Sequence, residues 1–563
     1  MAEDKLQRNL TYPQWTTEIT DNIVPGEDML GVEGAAQGYQ QELIPGIIST
    51  TDRARYYSFY AWILYRYINS STGNRLLSNF KGKYYRRHEV AMILGAYSHH
   101  KEGEPIRSLI GAGNGYAKVR SWWDASELVS LDANYFQNKL GGLGQYYLTA
   151  MQAMGIIGIN ERPSWVFPLT HRGENLANAY GDSIAKSSYA KKLEEDGQLD
   201  ELSHKDATSY GKVGCICQEA LAQGRDLPLL RDAFFRFDQT KEDNPHVRRR
   251  LALAVTLDLV RGAKGKFERY MVRPALYLGE FAAKSTYQPS PKLEDWVFRW
   301  KMVAVRHHYT FGLQALWGSF ILQLRAQTNG IALSDFMSWI KKTLGTNKFD
   351  ASLGNYLDNC CESVGLSGSW QKSHVDFAKA CLQSSELDEY SLFLQANQNP
   401  TDSDLLLRVG VQTLAHHYLR FLNLHQNPRP EWREMAKRER LPISSFYKFM
   451  EDNLAANASL GQSLELLYKE FLLGQHEFIA LGKLRFQNYD TFKFYYRDGK
   501  FYWPFTRPDY WQEPIRLAGN RLSNALSIVS DLGLVTEKES RFSLTEDGKN
   551  FLARSIEMRN HGN

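Results

Sequence analysis

Read for the spacing of its apolar positions, the chain is helical through most of its length. In TTDRARYYSFYAWILYRYI, Thr51 or Asp52 can cap a helix. Tyr57, Tyr60, Ala61, Leu64, Tyr67 and Ile68 then line one face of it. Similar periodicity predicts helices over 251–260, 296–324 and 404–424, with breaks at 385–404 and at 425–445, where Pro428, Pro430 and Pro442 fall. The clearest strand signal is FKFYYRDGKFYWPF at 492–505, two aromatic runs about Arg-Asp-Gly-Lys. That pattern predicts a β-hairpin, expected to lean on the module that closes the chain.

One arrangement occurs twice. Leu522, Ala525, Leu526, Ile528, Val529 and Leu532 form an apolar helix face that ends at Gly533. Leu534 and Val535 start a strand, residues 536–540 turn, 541–544 return, and Thr545 can cap a last helix. Near the other end Met154-Gly155-Ile156-Ile157 leads through a turn with Pro163 to residues 166–169 and Thr170. From Gly to Thr is 12 residues in one copy and 15 in the other, a difference a loop absorbs. This order resembles the winged-helix module of bacterial transcription regulators of the MarR and ArsR type. The resemblance implies a helix for the DNA major groove and a wing beside the phosphates. The fold expected is mainly α, a multidomain helical protein with two winged-helix-like modules and a β-hairpin near the C-terminus. Its segments are an acidic loop-rich arm (1–50), a basic aromatic helical segment (51–134), a winged-helix-like module (135–183), helical domains (184–395 and 396–480), and the hairpin with the second module (481–563).

Overall charge is only +4 on 563 residues, which decides nothing about partners, but its distribution is uneven. Residues 1–50 hold eight Asp/Glu and two Lys/Arg, whereas 51–123 hold twelve Lys/Arg, four Asp/Glu and fourteen aromatics. Cations that neutralise phosphates beside rings that stack on bases suit a nucleic acid. Arg53, Arg55, Arg66, Lys81, Lys83, Tyr84, Tyr85, Arg86 and Arg87 are therefore candidate contacts. Arg248, Arg249 and Arg250, in a stretch with nine basic and four acidic residues (241–273), form a second stripe, and Asn520, Arg521, Asn524 and Arg541 belong to the C-terminal module. The opposing reading is an aromatic core whose arginines are paired. The C-terminal module itself is balanced, six basic against six acidic residues from Arg521 onward, which also suits a protein partner.

Catalytic signals are sparse. His307-His308-Tyr309 and His416-His417-Tyr418 could join imidazoles across two helices for a metal or for acid–base work. Adjacent helical positions diverge by about 100°, and no Asp or Glu lies one turn from these histidines. No metal or other cofactor is therefore assigned. Cys215, Cys217, Cys360, Cys361 and Cys381 show C-x-C and C-C spacing, unlike zinc ribbons, and read as buried thiols of a reducing compartment. His99-His100 sits in a turn. Walker A, HExxH, kinase and nucleophile-elbow patterns are missing. The opening MAEDKLQRNLTYPQW has no secretory character and no span is long and apolar enough for a membrane, so a cytoplasmic protein is expected. The combined expectation is a non-enzymatic nucleic-acid-binding protein, DNA foremost, with protein partners in a larger assembly. The alternatives are a scaffold binding proteins through its winged helices and a metal-dependent hydrolase or nuclease using the histidine triplets. PGIISTTDRARYYSFYAWILYRY with the Tyr84 to Glu89 cluster is similar to long bacterial proteins of mobile and phage-defence gene clusters, which implies a role in antiviral defence.

Overall fold

Helices carry the chain, as the apolar spacing predicts, and short strands join only a few of them. The computed structural model describes residues 28–70, 75–101, 103, 105–111, 116–132, 135, 138–281, 285–383, 388–438, 440–487, 491–504 and 518–561. The acidic arm up to residue 27 and the side chain of Lys83 lie outside them. Two units share the described residues. The first is built from Gly38–Lys301 together with the chain from Gly519 onward, and the second from the residues before Gly38 together with Met302–Ala518. Each unit thus joins two distant stretches, which a division into six successive segments does not anticipate.

In the first unit the sequence echo becomes two copies of one geometry. Gly155 and Gly533 end a helix with φ of 66° and 72°, a region open to glycine at little cost. Thr170 and Thr545 cap the helices His171–Ile184 and Glu546–Glu557, accepting from the Gly173 and Gly548 amides at 3.2 and 3.0 Å. The same two hydroxyls donate back to the Gly155 and Gly533 carbonyls at 2.7 and 2.9 Å. A Cβ at Gly173 would lie 2.2 Å from the Ile156 carbonyl oxygen and one at Gly548 2.0 Å from that of Leu534. The Leu-Thr-x-x-Gly pattern therefore records a close approach of helix to strand.

Both copies also recruit earlier chain that the echo does not contain. Arg55–Ile68 packs on His171–Ile184, and Leu76 pairs with Trp165 as a third strand segment. In the C-terminal copy Pro245–Gly262 packs on Arg521–Asp531 and on Glu546–Glu557, while Phe267–Glu268 pairs with Arg541–Leu544. The hairpins differ. Val535–Lys538 and Arg541–Leu544 form an antiparallel ladder of four residue pairs, whereas the N-terminal copy has a single facing pair, Ile157 with Leu169. Pro168 explains this, since it has no N–H for a ladder and only its carbonyl is used, by the Gly158 amide at 2.8 Å.

A second close approach fixes the middle of this unit. Helices Tyr85–His99 and His204–Gly214 meet at Gly95 and Gly211, where a Cβ on Gly211 would stand 2.1 Å from the Gly95 carbonyl oxygen. Ser98 and Thr208 share a hydrogen bond of 2.6 Å one turn away, so the helices run antiparallel.

In the second unit the residues from Met302 to Arg325 of a long helix cross Ser403–Gln426 at Gly312 and Gly410. A Cβ on Gly410 would lie 3.1 Å from the Gly312 carbonyl oxygen. The predicted hairpin forms as Tyr495–Arg497 and Lys500–Tyr502, with Asp498 and Gly499 both at positive φ (52° and 76°), as a type I′ turn requires. Contrary to expectation it belongs to this unit: Phe501 pairs with Ile331 and meets the Phe320 ring edge-on at 5.6 Å. Among the described residues no helix is long and apolar enough to cross a membrane.

These contacts predict opposite outcomes for two glycine substitutions. Gly211→Ala forces backbone apart and is expected to lower stability by about 3 kcal/mol or more. Gly482→Ala, at a helical position with nothing within 4 Å of its new Cβ, is expected to raise it by about 0.5–1 kcal/mol. Chemical-denaturation midpoints check both.

Candidate functional site

A guanidinium counts as one positive charge in a sequence whether it meets water or a carbonyl. In the 51–123 segment four of the eight guanidinia, those of Arg53, Arg55, Arg66 and Arg87, meet carbonyls or carboxylates. Arg55 is fully buried; Nε and Nη2 donate to Asp226 at 3.2 Å each and Nη1 to the Cys215 carbonyl at 2.7 Å. Arg53 donates to the Ile216 carbonyl at 2.9 Å and pairs with Asp531 at 3.1 Å. Arg87 is held by Asp132 at 2.9 Å and by Asp200. Arg66 donates to the Leu193 carbonyl at 3.2 Å. Tyr85 is enclosed, its hydroxyl donating to Glu89 at 2.6 Å; Tyr60, Tyr135 and the Gly142 amide donate to the same buried carboxylate. Tyr84 lies against Tyr67 and His88, and burial pushes its hydroxyl up to about 12.

The other candidates divide similarly. Arg249 is buried and donates to the Ala233, Phe234 and Pro45 carbonyls at 2.8, 3.0 and 3.1 Å; burial lowers it to about 9. Arg250 donates to the Arg236 and Gln239 carbonyls at 2.7 and 2.8 Å. Arg521 is buried with Nη1 on the Ile47 carbonyl at 3.4 Å, and burial lowers it to about 10. Asn520 caps its own helix by accepting from the Leu522 amide, and Asn524 donates to the Ser49 carbonyl at 3.0 Å. Lys81, Arg86 and Arg248 are half-buried, and Arg541 is exposed, 3.8 Å from Glu268. Among the described residues Arg55, Tyr85 and Arg87 are thus turned inward, against the outward Arg/Tyr platform expected from composition. Arginine is the cation suited to this interior use, since its five donors match several acceptors and it is weakly hydrated.

The histidine triplets are likewise interior. His307, His308, His416 and His417 are all buried in the second unit, His416 beside the Phe377 ring at 5.1 Å and His417 beside Tyr309 at 5.7 Å. Burial lowers His417 to about 3, so it stays neutral at ordinary pH. Among the described residues these four do not bring three ligand atoms together, whereas ligand atoms of His99, His100 and Cys217, one from each, lie within 4.8 Å of one another. The reading of Cys217 as one more inert thiol therefore misses its neighbours.

The helical stretch ahead of Gly155 and the hairpin loop of the N-terminal copy face outward. Leu143–Tyr147 and Leu148–Ala153 present Gln145, Thr149 and Gln152 to solvent at successive turns. Beside them the 158–165 loop is pinned by Leu77 N donating to Ser164 O and Val166 N to Arg75 O, each at 2.8 Å, and by Asn160 Nδ2 donating to Trp165 O at 2.7 Å. Two exposed guanidinia flank the Trp165 ring, Arg162 at 4.4 Å and Arg75 at 5.8 Å from its centre. Ile159 at the loop tip is 88% exposed. Sequence reasoning passed over Arg75 and Arg162; the signal that could have found them is the Arg-Pro-Ser-Trp run inside the repeated pattern. The equivalent helix of the C-terminal copy, Arg521–Asp531, is buried against residues 47–54. A separate open cavity of about 510 Å³ lies under the C-terminal copy, lined by Val260, Arg261, Ser543, Leu544, Lys549 and Leu552. Comparison of the chain with family models, curated proteins and solved structures found no match.

The Arg53 pair carries a pH prediction. Burial, opposed by the Arg53 charge, raises the Asp531 carboxyl to about 7. A folded value above the unfolded one stabilises the native state fully below the unfolded range, and that contribution is lost as pH rises through about 7. Asp531→Asn is neutral throughout and keeps an acceptor for the Ala54 amide, which now donates to Asp531 at 2.8 Å. Relative to that variant, the wild type is expected to lose up to about 1.4 kcal/mol per pH unit between about pH 5 and about pH 7. Denaturation midpoints of both proteins across that window measure the difference.

Proposed function

We propose that the chain is a non-enzymatic nucleic-acid-binding protein that takes duplex DNA on its N-terminal winged-helix-like copy. The observation that carries this reading is the outward face of Gln145, Thr149 and Gln152 next to a loop on which Arg75 and Arg162 flank Trp165. Glutamine can pair with the major-groove edge of adenine and threonine can meet a thymine methyl, while guanidinia at the wing meet phosphates. The likeness of the first third of the chain to proteins of phage-defence gene clusters makes foreign DNA the ligand to try first.

A second reading follows from the other copy. There the corresponding helix is covered by protein, so a module of this shape also serves as a docking face, and the N-terminal copy would then bind a protein partner. The two readings part in one experiment. Affinity for a duplex of about 30 base pairs, measured at several salt concentrations, is expected to fall steeply with salt. Arg75→Ala with Arg162→Ala is expected to reduce the log–log slope by about 1.8, the release expected for two phosphate contacts. No binding at about 50 mM salt, with the protein folded, would reject the nucleic-acid reading in favour of the docking one.

A further inference from the structure

We propose that His99, His100 and Cys217, with Cys215 as the fourth donor, form a binding site for zinc. One ligand atom from each of the first three residues lies within 4.8 Å of the others. Zinc bonds of about 2.0–2.1 Å to nitrogen and 2.3 Å to sulfur give tetrahedral ligand–ligand edges of roughly 3.3–3.8 Å. The cluster therefore closes around a metal by side-chain movements of about 1 Å. Two imidazoles and two thiolates are a borderline-soft set that fits zinc and neutralises its charge.

The surrounding fold holds this set in place. Tyr85–His99 ends here, and His100 is its C-cap, its amide donating to the Ala96 and Tyr97 carbonyls. The two rings sit 4.8 Å apart with 82° between their planes, so they diverge in direction while remaining close. Nε2 of His100 is buried with no hydrogen-bond partner, and an acceptor of this kind is what a metal would satisfy. His99 Nε2 lies 3.8 Å from a Glu219 oxygen, a carboxylate placed to orient the ring.

On the opposite side, the Gly95 to Gly211 approach brings in the helix His204–Gly214, and the chain turns at Cys215. That turn is clamped from beneath: Arg55 donates to the Cys215 carbonyl and Arg53 to the Ile216 carbonyl. Arg55 is ion-paired with Asp226, and Arg53 lies 3.1 Å from Asp531. The Cys215 and Cys217 thiols are hydrogen-bonded to one another, which sets the fourth donor beside the third. Four protein donors leave no position open for substrate, so the site is structural, joining the end of one helix to the turn after another.

Metal analysis of the full-length protein, expressed with zinc, tests the assignment. About one zinc per chain is expected, with loss of at least nine-tenths of it in Cys217→Ser and in His100→Ala, and no loss in Cys381→Ser. Cobalt exchanged into the wild type is expected to show the visible bands of a tetrahedral centre and sulfur-to-cobalt charge transfer. Because a ligand variant can misfold, the wild type alone is also decisive through thiol labelling: Cys217 is expected to react only after a chelator removes the metal. Folded wild-type protein that holds no metal, and takes up neither zinc nor cobalt at about micromolar free ion, overturns the site. Copper(I) found in zinc's place overturns the choice of cation.

Discussion

A buried guanidinium has five N–H donors to satisfy without water, and Arg55, with the half-buried Arg53 beside it, gathers acceptors from segments far apart in the chain. Arg55 ties its own helix to Asp226 and to the Cys215 carbonyl. Arg53 ties the same stretch to the Ile216 carbonyl and, through Asp531, to the helix Arg521–Asp531 of the C-terminal copy. The N-terminal copy, the C-x-C turn and the C-terminal copy thus meet at two side chains. Removing one partner would leave a buried charge uncompensated, an error costing about 3–5 kcal/mol. This constraint fixes which surfaces remain for binding.

It also explains how two copies of one geometry take different roles. In the C-terminal copy the helix Arg521–Asp531 supplies Asp531 to Arg53 and the buried Arg521, so its face is spent on intramolecular packing. On the equivalent helix of the N-terminal copy Gln145, Thr149 and Gln152 are exposed, with Gln145 accepting from Asn138 Nδ2 at 3.2 Å. The loop beside it is held by Trp165 and its paired segment at Leu76 rather than by a strand ladder. A short, well-anchored loop with two outward cations would lose little freedom on meeting the polyanion proposed for it.

The parts of the fold legible in the sequence are those set by local rules. Gly155 and Gly533 had to end helices, Thr170 and Thr545 had to cap them, and Asp498-Gly499 had to turn a hairpin, because each residue's own backbone chemistry demands it. The elements completing each copy were not legible. Arg55–Ile68 and Pro245–Gly262 join them from a distance, and no local pattern marks such partners. The cations were misread for a related reason: Arg249 and Arg250 look the same in a sequence whether they contact phosphate or, as here, the carbonyls of residues 233–239. His99-His100 and Cys215-x-Cys217 are each uninformative alone; only the glycine contact between two helices brings them together.

Backbone amide exchange, followed with and without a saturating DNA duplex, bears most directly on the claim that one copy is committed inward and the other is free to bind. Slowed exchange is predicted in residues 143–153 and 158–166, with Arg521–Asp531 unchanged. Protection of Arg521–Asp531 with none at the 158–166 loop would contradict the account.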